Sequence, residues 1–172
     1  MLRVARLERL IVREIPSLRA YARLLVGDRT QADDLVQECL ERAWSRSHLF
    51  RAGADMRVWL FTILHNLHVS AIRQVRRRPD TIPLTERDEN LTVAPRGDLH
   101  VELADLDRAL DELPAEQRAA VLLVGAEDMS YEQAAAVLAI PVGTLMSRLH
   151  RGRRQLRILV SGEAPPRLRR IK

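Results

Sequence analysis

Residues 130–154 read SYEQAAAVLAIPVGTLMSRLHRGRR, and this stretch decides the fold. Ser130 is a helix N-cap type, and Gln133 three residues on completes a capping box. Ala134 and Ala135 are small enough to let a second helix cross closely. Ile140 supplies an apolar pin in the turn, and Pro141 stops the first helix from continuing. Val142, Leu145, Leu149 and Leu156 then recur at helical spacing and are expected to face inward. Thr144, Ser147, Arg148, Arg151 and Arg154 fall largely on the opposite face. An apolar back with polar groups toward its N-terminal end is what a recognition helix needs to reach base edges in the major groove. Residues 142–172 hold nine basic residues and one acid, Glu163, whereas the other acids of residues 99–172 lie at 102–132. That split sets a basic face toward DNA, although an ordinary solvated helix with a basic tail gives the same charge pattern.

Working outward, the apolar spacing is helical nearly throughout, and no persuasive strand or repeat is found. Leu7, Leu10, Ile11, Ile15, Leu18, Tyr21, Ala22 and Leu25 make one stripe, ended by Gly27. Asp28 is expected to cap the next helix, with Gln31 completing a box. That helix carries Leu35, Val36, Cys39, Leu40, Ala43 and Trp44. After a loop over residues 45–54, a third helix is expected from about Asp55 to Arg76, with Trp59, Leu60, Ile63, Leu64, Leu67, Val69 and Ile72 apolar. Trp59 reads as core and not as a stacking platform. Residues 79–98 contain Pro79, Pro83, Pro95 and Gly97 with a net charge of −3, the marks of a linker. Helices are then expected at about 115–127, 130–138 and 142–160, the first of them started by Pro114. The fold class is all-α: two small helical domains, 1–78 and 99–160, joined by a flexible linker at 79–98 and followed by a basic tail at 161–172.

Composition narrows the function. The 172 residues carry a net charge of +5, which favours polyanion partners only weakly. Of 28 basic residues 27 are Arg, a bias that a GC-rich genome also produces, so position matters more than number. Aromatics make up only 3%, against an aromatic-platform RNA binder. Cys39 is the only cysteine, which allows no internal disulfide and no cysteine metal cluster; a buried structural thiol is expected. No apolar run approaches the roughly 18 residues of a membrane span, and no secretion signal is read, so a cytoplasmic protein is expected. His65 and His68 sit three apart on one helix without an evident further ligand, so no metal and no cofactor are expected. There is no phosphate-cradling glycine loop and no nucleophile elbow, so the chain is not read as an enzyme.

A helix-turn-helix alone says only "regulator". Residues 33–44, DDLVQECLERAW, put Asp34 and Glu38 on one helix face at i,i+4, with Asp33, Gln37 and Glu41 beside them. Such an acidic patch suits a basic partner, or is simply solvated. This stretch resembles the region 2.2 helix of the extracytoplasmic-function (ECF) sigma factors. In that family the helix docks on the clamp helices of RNA polymerase core. Residues 47–51 (SHLFR) followed by 56–66 (MRVWLFTILHN) resemble the family's minus-10 reader, whose loop receives a base flipped from the non-template strand. The resemblance implies that Phe50 and Arg51 line that loop, that Asn66 offers a donor and acceptors to a base edge, and that Arg73, Arg76, Arg77 and Arg78 track phosphates. It makes residues 130–154 the region 4 reader of the minus-35 element, with Thr144, Ser147, Arg148, Arg151 and Arg154 facing DNA. The stretches IPSLRAYARLLVGDRTQADDLVQE and MSYEQAAAVLAIPVGTLMSRLHRGR look particularly like the EcfG general-stress branch of alphaproteobacteria. One departure stands out: many members carry Lys or Arg where this chain has Met146. A methionine cannot bind phosphate; it touches a thymine methyl or packs inward.

The resemblance implies an alternative sigma factor, with RNA polymerase core, promoter DNA and an anti-sigma factor as partners. Two other readings stay open: a sigma-like adaptor that sequesters an anti-sigma factor, and a plain helix-turn-helix regulator with no affinity for polymerase.

Overall fold

The computed structural model describes residues 2–51, 53–77 and 106–161. The expected linker at 79–98, and the tail beyond Ser161, lie outside the described residues. Within them the fold is helical, in agreement with the all-α expectation.

Helix α1 spans Leu2–Val26 and contains Pro16, which is exposed. Gly27 closes it with φ at +80°, a conformation open to glycine at little cost. Asp28 caps α2 (Arg29–Ser45), its side chain accepting the Gln31 amide at 2.7 Å. A single 3₁₀ turn, Ser47–Leu49, lies in the connecting loop. Asp55 caps α3 (Met56–Arg76) by accepting from the amides of Arg57 and Val58. These three helices bury Leu18, Tyr21 and Ala22, then Val36, Cys39 and Ala43, then Leu60, Phe61 and Leu64. The Tyr21 and Phe61 rings meet at 5.2 Å, tilted by 45°. Cys39 is fully buried, its thiol donating to the Leu60 carbonyl at 3.5 Å. Burial pushes that thiol up to about 12, so it is inert as a nucleophile.

Residues 106–111 are helical, and α4 follows Pro114 over Ala115–Val121. The backbone then widens into a π turn, Leu122–Ala126, in which the Glu127 amide reaches back to the Leu122 carbonyl at 3.0 Å. This extra residue per turn swings Glu127 inward, where it is 7% exposed. Ser130 caps α5 (Tyr131–Leu138) with both halves of the capping box formed. Ala139 ends α5 in the left-handed region, φ 51°, and α6 runs over Val142–Ser161. Leu123, Ala134, Val137 and Leu145 are buried here. Their core is continuous with that of α1–α3, so the two halves share one apolar interior.

Two stripe residues depart from expectation. Trp44, counted with the apolar face of α2, is 51% exposed. Val142, expected to face inward, sits exposed in the first turn of α6, while Leu145 and Leu149 are buried and Leu156 half-buried as expected. In both cases periodicity identifies the face, but at a helix end the neighbouring elements cover it only in part.

Candidate nucleic-acid interface

Helix α6 packs on α4 through its apolar back and presents its other face to solvent. Thr144, Ser147, Arg151 and Arg154 are exposed, as the face assignment requires. Arg151 is oriented along the helix, donating to the Ser147 hydroxyl at 2.7 Å. Arg148 behaves differently. It is half-buried and bound to Glu116 of α4 at 2.6 Å. Between α4 and the start of α6 lies a cleft of about 450 Å³, lined by Glu116, Gln117, Gly143 and Arg148 among others. The Gln117 Oε1 is buried without a hydrogen-bond partner. Met146 is 50% exposed, so it does not pack inward; its thioether is available to an apolar contact from outside.

In the first half, Phe50 is half-buried and meets Trp59 at 5.1 Å, the rings tilted by 48°. Trp59 thus packs against the core and also walls the loop that carries Phe50. Arg51, Asn66, Arg73 and Arg77 are exposed; the Arg76 side chain lies outside the described residues. Asn66 shares its helix with His65 and His68, and those two are held neutral. Burial, then His68 and Arg148, lower His65 to about 4; burial and Arg118 lower His68. The His65 Nδ1 lies 3.4 Å from the Tyr21 hydroxyl, which a neutral ring can accept from.

The acidic face of α2 is on the surface. Asp34, Gln37, Glu38 and Glu41 are exposed and Asp33 is half-buried. It is partly compensated from within: Glu38 pairs with Arg42 at 2.9 Å, Asp33 with Arg19 at 3.8 Å, and Gln37 donates to Glu41 at 3.1 Å. Pairs this exposed are worth little and exchange readily for a partner's cations.

Residues 11–65 match the family described as the Sigma2 domain of PhyR, and residues 103–156 match Sigma-70, region 4. Over 150 residues the chain is 43% identical to the ECF RNA polymerase sigma factor EcfG of Rhodopseudomonas palustris, covering 87% of this chain and 82% of that protein. The chain belongs to the ECF sigma factor family. It is also 35% identical to the ECF sigma factor SigL of Mycobacterium tuberculosis, with 80% of this chain and 79% of that one covered. Among solved structures, the sigma factor RpoE of Bartonella quintana, in complex with the anti-sigma factor NepR, superposes with a TM-score of 0.76. It is 34% identical, and 91% of this chain and 98% of that one are covered. CnrH, in complex with the cytosolic domain of CnrY, follows at a TM-score of 0.68 and 26% identity, over 92% of this chain and 89% of that one.

For an ECF sigma factor, three residues of consequence escaped the sequence reading. Glu116 holds a recognition-helix arginine. Gly152 is buried where α6 crosses α4; a Cβ there would stand 2.7 Å from Val121 Cγ2. The sequence signal was a lone glycine inside an otherwise helical run, HRGRR, which marks close backbone approach. Arg57 binds across the molecule to Glu127, a pairing 70 residues apart that no local pattern signals. Among the described residues no helix is long and apolar enough to cross a membrane.

Proposed function

We propose that this chain is an alternative sigma factor of the EcfG-like general-stress kind. It docks on RNA polymerase core, confers promoter specificity and helps melt DNA in the cytoplasm, with no catalysis of its own. Residues 1–78 act as region 2 and residues 99–160 as region 4, joined by the linker at 79–98. Asp33, Asp34, Gln37, Glu38 and Glu41 meet the basic partner surface on the polymerase clamp. Phe50, Arg51, Asn66, Arg73, Arg76 and Arg77 read and hold the minus-10 element. Thr144, Ser147, Arg148, Arg151 and Arg154 read the minus-35 element. An anti-sigma factor restrains the chain. The observation that carries this reading is the coexistence, in one chain, of an exposed acidic helix face and an exposed arginine face on the second helix of a helix-turn-helix. The first serves a protein partner and the second DNA, and an initiation factor needs both.

The test is a pull-down with purified core polymerase, comparing wild type with Asp34→Arg. Like charges brought together at such an interface cost several kcal/mol, so at least a tenfold loss of core binding is expected. Unchanged binding overturns the assignment of this face. Asp34 is exposed, so the substitution leaves the fold intact.

One observation favours the adaptor reading: the family matched over residues 11–65 takes its description from PhyR. A solved PhyR, described as an anti-anti-sigma factor, shares the fold at 18% identity, with 48% of its chain covered. In vitro transcription separates the two. Run-off products from a promoter support the sigma factor; tight anti-sigma binding with no initiation supports the adaptor.

A further inference from the structure

Arg148 stands apart from the other residues assigned to the DNA face of α6. At about 100° per residue it lies one step round the helix from Ser147, toward the side where Leu145 and Gly152 are buried. Gly152 is one turn further along the same edge. Its lack of a side chain lets α6 cross α4 so closely that a Cβ there would meet Val121 and the Gln117 carbonyl. That close crossing sets the separation of the two helices, and Glu116 precedes Gln117 on α4. A short charged contact results: Arg148 Nη2 donates to Glu116 Oε2 at 2.6 Å.

The two partners differ in exposure. The Arg148 side chain is 24% exposed and the Glu116 side chain 69%. A pair so open on one side adds little to stability, so as a brace it is weak. What it does is fix a plane: a guanidinium with a half-buried stem and an engaged Nη2 has few orientations left to lose on binding. His65 of α3, which also feels Arg148, is held neutral and offers no rival charge. The cleft of about 450 Å³ beside the pair is lined by Thr144, Ser147 and Arg151 as well, so both charged groups border the face assigned to DNA. Across its major-groove edge a G·C pair presents two acceptors, guanine N7 and O6, and then one donor, the cytosine N4 amino group. A guanidinium offers two parallel donors, and a carboxylate beside it offers an acceptor. Arg148 and Glu116 thus present donor, donor, acceptor in a row. An A·T pair sets its adenine amino group against the guanidinium and its thymine O4 against the carboxylate; a reversed C·G pair sets the cytosine amino group against the guanidinium. Each of these mismatches leaves a charged group facing its own kind.

We infer that Arg148 and Glu116 act as one composite reader of a G·C base pair. Arg148 donates to guanine O6 and N7, while Glu116 fixes the guanidinium plane and accepts from the cytosine amino group. The inference rests on the proposed assignment of α6 to the minus-35 element. Glu116 is then a specificity-determining residue that lies outside the recognition helix. It raises discrimination while lowering affinity, because a carboxylate set against DNA repels phosphates and is compensated only where a cytosine amino group meets it.

The test is selection from a pool of randomised duplexes by the full chain, free and bound to RNA polymerase core, with the retained sequences counted. Wild type is expected to prefer G·C at one position by about tenfold or more, within the roughly 5- to 150-fold that a good bidentate contact supplies. Arg148→Ala is expected to abolish the preference at that position and leave the others. Glu116→Gln is expected to cut it by about fivefold or more, because the competing base pairs bind more tightly once the carboxylate is gone. Placing 7-deazaguanine, which lacks the N7 acceptor, at that position is expected to weaken wild type by about fivefold and Arg148→Ala not at all. Glu116 is exposed, so its substitution leaves the fold intact; that variant and the modified base decide the matter should Arg148→Ala not fold. Were the pair only a brace for α6, Glu116→Gln would lower the melting temperature and weaken every sequence alike, with the base ranking unchanged; that result overturns the inference. So does binding indifferent to 7-deazaguanine, or a preference that Arg148→Ala leaves intact. If wild type selects no sequence in either form, the minus-35 reading falls and the inference with it. If it selects one that Arg148 and Glu116 do not shape, the inference alone falls.

Discussion

Gly152→Ala puts the packing of the recognition helix to a quantitative test. The Cβ it adds would stand 2.7 Å from Val121 Cγ2, 3.3 Å from the Gln117 carbonyl and 3.4 Å from Gln117 Cβ. Carbon atoms prefer separations of about 3.5–4.0 Å, so the first contact is about 1 Å too short. Val121 cannot swing away cheaply, because a β-branched side chain in a helix has one strongly preferred rotamer. Helix α6 must then lift off α4. Overpacking of this kind costs about 1–3 kcal/mol. Replacing a helical glycine by alanine returns about 1 kcal/mol. The packing cost wins, by roughly 1 kcal/mol, which for a chain this long lowers the melting temperature by about 2–4 °C. Thermal unfolding followed by circular dichroism reads this directly. The sharper measurement is a cycle with Val121→Ala, which removes the offending methyl. The double variant is expected to be at least about 1 kcal/mol more stable than the two single effects added together. Because Arg148 and Arg151 lie within a turn of Gly152, the same displacement is expected to weaken binding to a minus-35 duplex. A higher melting temperature for Gly152→Ala, or no coupling to Val121, refutes the reasoning, since propensity alone would then account for the site.

Further outcomes follow from the same contacts. Ser130→Ala removes the hydroxyl that accepts the Gln133 amide at 3.2 Å, and a loss of about 1 kcal/mol is expected in denaturant melts. Glu116→Gln frees Arg148 from its 2.6 Å partner; duplex binding is expected to tighten, with the slope of log K against log salt steeper by about one, and an unchanged slope would show that Arg148 meets no phosphate. His65 titrates at about 4 in the folded chain against an ordinary value near 6.5. Between those values the unfolded chain binds more protons, so stability is full above pH 6.5 and falls as pH drops toward 4, by roughly 3 kcal/mol in all. Burial raises the Glu127 and Asp107 carboxyls, which act with the opposite sign, so the difference between wild type and His65→Gln isolates the histidine. A pH-independent difference would sink this assignment.

The helices were legible because their signals are local. Gly27, Asp28, Asp55 and Ser130 each mark an end, and each is found where its chemistry requires it. Buried Cys39, the small pair Ala134 and Ala135, and the exposed face of α6 followed from helical spacing alone. What local spacing cannot carry is the identity of the neighbour across a contact. It assigned Trp44 to an apolar stripe, but at the end of α2 the ring is half exposed, at the edge of an apolar groove shared with Ile11 and Ile15 of α1. It placed Arg148 on the solvent face, yet Glu116, 32 positions earlier, binds it. It gave no reason to bury Glu127, because the π turn that aims it inward breaks the 3.6-residue repeat from which burial is read.

The same limit applies between the two domains, whose buried apolar residues form one continuous cluster. A proline-rich acidic segment between two basic halves marks a boundary in composition, and composition does not say whether the parts on either side adhere. Adhesion rests on the shared apolar interior and on polar side chains, Arg57, Glu127, Asp55, Gln133 and Arg118, that look like ordinary surface charges in the sequence. The features that local spacing misses are therefore contacts between distant stretches of the chain, such as Arg57 with Glu127, and the features it finds are those that let each helix form and cap.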